Sequence, residues 1–208
     1  MAAQGKAMHA GEAVAEALRA EGVERVYDEA MLQQLAQRKS EVRDMLAANV
    51  APHASDNPIY PGLLMQAMNN VLDDQAVVAS DVGNCQMWAR TFRRIATPES
   101  FMQSGVWNAM SNGLPTATEY GANILIVVLN DGAFGQTYMQ QTNIYGHAYG
   151  TAFKSPQFAD IATACGAKGM RVTAPRDVES ALQQGLAATK TQPALVEVMV
   201  ARHAYPKI

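Results

Sequence analysis

The chain has 208 residues, enough for one large domain or two small ones, and its 49% hydrophobic and 17% charged residues are those of a soluble globule. A net charge of -3 without any Lys/Arg cluster argues against nucleic acid as a partner. The longest wholly apolar run, 124–129, is far short of a membrane span, and Cys85 and Cys165 are too few and too scattered for a disulfide framework or a zinc site.

The N-terminus carries Glu12 and Glu16 and lacks an apolar core, so no secretory signal is expected and the cytoplasm is the expected compartment. Residues 11–21 place Val14, Ala17 and Leu18 on one helical face, closed by Gly22; 23–27 read as a short strand. From Asp28 to Val50 a longer amphipathic helix is expected, with Met31, Leu35, Val42, Met45 and Leu46 on one face. A segment with three prolines, 51–62, follows and is the best domain boundary in the chain. Beyond it helices and strands alternate. A helix at 61–72 leads to strands at 76–80 and 101–104, and the strongest strand signal is 124–129. Ser155 as N-cap and Pro156 at N1 then predict a helix that Gly166 stops. A strand at 169–174, a helix opened by Pro175 and a final strand at 194–200 complete the chain. This alternation predicts an α/β fold, a mostly parallel sheet with helices on both faces.

In such a sheet, ligands sit beyond the carboxyl ends of the strands. Three of those ends carry small polar residues: Asp81-Val82-Gly83-Asn84, Ser104-Gly105 and Asn130-Asp131-Gly132. Helices starting just behind them aim free N–H groups at the crevice, which suits a phosphate-bearing ligand. Asp131 adds a hard oxygen donor suited to Mg²⁺. The competing reading is plain: Asn-Asp-Gly is also a common turn sequence. The usual dinucleotide and P-loop glycine fingerprints are absent, as is a nucleophile elbow. The four histidines lie in different segments without ligand spacing.

Four ordered motifs, "SDVGNCQMWAR", "SGVWNAMSNGLP", "EYGANILIVVLNDGAFG" and "FADIATACGAKGMRV", resemble the cofactor-binding C-terminal domain of thiamine-diphosphate enzymes, acetolactate synthases above all. The likeness runs from about Pro61 to Ile208. "GEAVAEALRAEGVERVY" resembles the opening of that family's pyrimidine-binding domain. The implied organisation is a helical N-terminal remnant and linker helix at 1–50, a linker at 51–60 and a diphosphate-binding-like α/β domain at 61–208. The resemblance implies thiamine diphosphate and Mg²⁺ as cofactors, with Asp131 and the Ala133 carbonyl as metal ligands. It implies cofactor contacts at Gly83, Asn84, Cys85, Asn130 and Gly132. It also puts the aminopyrimidine against the backbone of Asn108 and Met110, with the Met110 side chain wedging the cofactor into its bent shape.

The chain also departs from that pattern. Gly-Asp-Gly, the first half of the family's metal motif, is absent, because 113–115 runs almost directly into 116–123. Asn84 and Cys85 stand where acetolactate synthases usually show Gln-His. The glutamate that activates the aminopyrimidine belongs to a domain this sequence lacks, so no catalytic residue is assigned. The resemblance implies a carboligase or decarboxylase acting on 2-oxo acids, in a homo-oligomer or with a partner chain. The departures imply weak cofactor binding or none, and little turnover by this chain alone. A non-catalytic scaffold or partner-binding remnant of the same fold is the alternative.

Overall fold

The computed structural model describes residues 20, 22, 29–95, 100–103 and 113–202. The expected helix at 11–21 and strand at 23–27 fall largely or wholly outside the described residues, as do Ser104, Gly105, Asn108 and Met110.

The chain enters through helix α1 (Glu29–Val50), which passes into a 3₁₀ turn at Ala51–His53. Helix α2 (Pro61–Val71) opens on a proline, whose missing N–H costs nothing in a first turn. Strand β1 (Val78–Ser80), helix α3 (Asn84–Phe92) and strand β2 (Phe101–Gln103) follow. Helix α4 (Leu114–Glu119), strand β3 (Leu125–Asn130) and helix α5 (Gly135–Tyr145) lead to helix α6 (Phe158–Ala164) and strand β4 (Lys168–Val172). A 3₁₀ turn at Pro175–Asp177, helix α7 (Val178–Ala188) and strand β5 (Ala194–Met199) end the described fold.

Every ladder between these strands is parallel, as the alternation predicts, but there are two sheets: β1 pairs β2, and β5 lies between β3 and β4. Strand β5 is therefore the central strand of its sheet, and its two faces bury different layers. Val196 and Val198 point into the larger core, with Ile59, Leu64, Trp88, Val178 and Leu182 from the linker and from α2, α3 and α7. Leu195 points the other way, to Leu114 of α4 and Ala162 of α6. Helices thus cover both faces. Each fully buried large side chain contributes about 1.5–3 kcal/mol of hydrophobic stabilisation.

One local expectation is corrected. The helix predicted from Ser155 starts at Phe158, with Gln157 extended before it. The cause lies in the sheet, where the Glu197 carboxyl takes the Ala159 N–H and sets the first turn. Segment 51–60, the expected linker, packs against the strands that follow it. Ile59 and Tyr60 are buried, and Ile59 bridges to Val200 in parallel register beyond β5.

Candidate functional site

Strands β1, β3 and β5 all end at one crevice, because parallel strands deliver their carboxyl ends to the same side. A cavity of about 340 Å³ lies there, lined among others by Gly83, Asn84, Asp131, Ala133, Gly135 and Arg202. Its volume is at the small end of the usual range for small-molecule sites. Cys85 lines it too, whereas Asn130 and Gly132 stand behind the wall.

The turn after β3 is built by its own side chains. The Asn130 Oδ1 accepts from the Gly132 N–H at 3.1 Å, and the Asp131 Oδ1 accepts from the Ala133 N–H at 3.0 Å. Gly132 sits at φ +68°, in the left-handed region that side chains with a Cβ rarely adopt. Asn130 also donates from Nδ2 to the Glu197 Oε1 at 2.6 Å, so its buried side chain braces the turn against β5. On the outer side Arg202 donates from Nε to the Asp131 carbonyl at 2.8 Å and from Nη2 to the Gly132 carbonyl at 3.1 Å. Its guanidinium also lies over the Tyr138 ring, 5.1 Å from the centroid.

Burial pushes the Asp131 carboxyl above its ordinary range, while the Ala133 N–H and the Arg202 charge pull it back. Burial likewise raises the Cys85 thiol, which contacts the Asp81 carbonyl at 3.4 Å and is poorly disposed to act as a thiolate.

Gly135 is the floor of the site. A Cβ there would lie 2.5 Å from the Asp131 Oδ2 and 2.9 Å from the Asn84 Nδ2, so a side chain at this position would displace both groups. Asn84 donates to the Met139 sulfur at 3.1 Å, and its Oδ1 is buried with no hydrogen-bond partner. A half-buried carboxylate, an under-satisfied carboxamide and a guanidinium at one crevice suit a hard cation with an anionic oxygen ligand. Among the described residues no group of three or more His, Cys, Asp or Glu side chains could hold a metal ion, so a metal here would rely on Asp131, neutral oxygens and the ligand. No described helix is long and apolar enough to cross a membrane.

Sequence reasoning brought Gly83, Asn84, Cys85, Asp131 and Ala133 to this crevice. It missed Gly135, Arg202 and Glu197. A usable signal existed for Glu197 alone, a carboxylate inside the otherwise apolar run 194–200.

The family described as thiamine pyrophosphate enzyme, C-terminal TPP binding domain, matches residues 81–118 and 112–198. Among curated proteins, the acetolactate synthase large subunit of Haemophilus influenzae is 27% identical over 183 residues, 71% of this chain and 32% of that protein. The mitochondrial acetolactate synthase of Schizosaccharomyces pombe is 29% identical, covering 65% of this chain and 25% of its own length. A putative thiamine pyrophosphate-containing protein of Bacillus subtilis, YdaP, is 25% identical over 69% of this chain and 30% of its own. The chain spans about a third or less of the length of these relatives.

Proposed function

Because the chain belongs to the thiamine pyrophosphate enzymes, through their C-terminal TPP binding domain, we propose that it holds the diphosphate end of thiamine diphosphate with Mg²⁺ at the crevice beyond β1, β3 and β5. The observation that carries this reading is the cavity at the strand ends, where the Asp131 carboxylate and the Asn84 carboxamide both close on Gly135. Asp131 and the Ala133 carbonyl are the proposed metal ligands, with Gly83, Asn84 and Cys85 beside the diphosphate. Asn130 and Gly132 hold the turn from behind, and Asn108 and Met110 are the proposed aminopyrimidine contacts.

Thiamine diphosphate supplies carbanion chemistry through its ylid, and the protein's part is to bind and orient it. The proposed reaction class is carboligation or decarboxylation of a 2-oxo acid, by analogy with the acetolactate synthases. With the Gly-Asp-Gly stretch absent, coordination would be less rigid and binding weak. A general acid–base carboxylate, worth roughly 10²–10⁴-fold in rate, would have to come from a further domain or a second chain. Exposed Phe134, Ile144, Tyr145 and Tyr149 on and around α5 offer such a partner an apolar surface. A scaffold that keeps the fold without turnover is the second reading, favoured by the missing half of the metal motif.

A thermal-shift assay with thiamine diphosphate and Mg²⁺ tests the proposal. Binding at 100 times Kd should add about 2.7 kcal/mol of stability. The shift should require Mg²⁺ and vanish in Asp131→Ala. Wild type without any shift at saturating cofactor would leave the scaffold reading.

A further inference from the structure

We infer that Asn84 is a metal ligand, its side-chain oxygen standing beside the Asp131 carboxylate in the same coordination shell. The inference rests on the cofactor reading above and changes what Asn84 does within it, from a neighbour of the diphosphate into an oxygen ligand to the cation.

The Asn84 carboxamide is placed as though waiting for a partner. It can make four hydrogen bonds, yet its Nδ2 meets only the weak thioether acceptor of Met139, and its buried Oδ1 meets nothing among the described residues. Asp131 is half-used in the same way. The Ala133 N–H occupies Oδ1, and Arg202 is committed to the Asp131 and Gly132 main-chain oxygens, leaving Oδ2 turned to the space over Gly135. The amide presents its nitrogen end there, 2.9 Å from the point that lies 2.5 Å from Oδ2.

That orientation is the one electrostatics selects without a cation, because a carboxylate oxygen and an amide oxygen facing each other repel. A divalent cation between them reverses the sign. Rotation about the Asn84 Cβ–Cγ bond then exchanges the two ends of the amide and brings Oδ1 to the metal. Amide and carboxylate oxygens are the hard donors that Mg²⁺ selects. With Asp131 as the only carboxylate of the Asn-Asp-Gly turn, a neutral oxygen from Asn84 gives the cation a second protein side chain from a different element.

Mn²⁺ as an electron-paramagnetic-resonance probe for the Mg²⁺ position tests this on the full chain, titrated with saturating thiamine diphosphate. Asn84→Ala should weaken Mn²⁺ binding roughly tenfold or more. Asn84→Asp, which keeps an oxygen and adds charge, should match or exceed wild type. A donor to phosphate gives the opposite order, because Asn84→Asp would repel the diphosphate and bind worst. That order, or an Asn84→Ala protein that binds Mn²⁺ like wild type, overturns this inference while leaving the cofactor reading intact. A wild type that binds neither Mn²⁺ nor thiamine diphosphate removes both. Unliganded melting temperatures control for folding. Should Asn84→Ala not fold, the order of wild type and the near-isosteric Asn84→Asp still decides.

Discussion

Asp131, just past the end of β3, and Glu197, inside β5, are both carboxyl groups drawn toward the interior, and their surroundings set them different tasks. Burial raises the Asp131 carboxyl, so the folded state favours its protonated form. The sign follows from linkage: the stability that protonation lends is complete below the unfolded carboxyl's value and is lost as pH rises through the higher folded one. Asp131→Asn keeps the side-chain oxygen that accepts from the Ala133 N–H and lacks the charge. It should therefore melt progressively higher relative to wild type as pH rises from the acid side through the carboxylate range to neutrality. Melting curves of both proteins across that window check this. Glu197, wholly buried, instead serves as the acceptor for the Asn130 Nδ2 and the Ala159 N–H. Glu197→Ala strands both donors, at roughly 1–3 kcal/mol each. Chemical denaturation should show Glu197→Gln, which retains one acceptor oxygen, losing less.

At the level of elements, α6 sits on β4 and β5 so closely that β4 needs a glycine. A Cβ at Gly169 would fall 1.9 Å from the Ala159 carbonyl and 2.7 Å from the Thr163 hydroxyl. Backbone has to move to admit it. Gly169→Ala should cost about 1–3 kcal/mol, the usual range for overpacking, measured as a lower denaturation midpoint with an unchanged slope. The late start of α6 has a separate cause. The Ser155-Pro156 signal is a sound local start, yet the Glu197 carboxyl of the central strand β5 takes the Ala159 N–H and sets the first turn there. Strand β3 shows the opposite shift. It runs one residue past the apolar stretch because Asn130 pairs in register with Met199.

Across the whole molecule, the burial of α1 among the described residues lies toward its C-terminal end. Residues 30–41 are exposed, whereas Val50, Ile59 and Tyr60 are buried, and the Tyr60 hydroxyl donates to Asn49. A chain beginning at residue 41 should therefore melt close to one beginning at residue 29. A chain beginning at 61 should be destabilised by the loss of these three side chains, each worth about 1.5–3 kcal/mol. Calorimetry of the three chains would show whether 61–208 stands as a unit by itself, the organisation we propose, or needs the preceding segment as its packing partner. The two family matches meet at 112–118, where α4 begins, and the two sheets lie on either side of it, β1-β2 before and β3-β5-β4 after.

The alternation of apolar runs and helical faces, and the small polar residues after each run, were enough to determine a parallel α/β fold and to point at Asn84 and Asp131. Those signals are local: strand period, turn chemistry and helix starts are written within a few residues. Three features were decided by tertiary structure alone. The division into two sheets depends on which edges pair. The bracing of the Asn-Asp-Gly turn by Glu197 and Arg202 joins residues 67 to 71 positions apart. The close approach of Asn84 and Asp131 to Gly135 exists because α5 starts at the crevice where those strand ends meet, a contact that the strand-end pattern alone did not give.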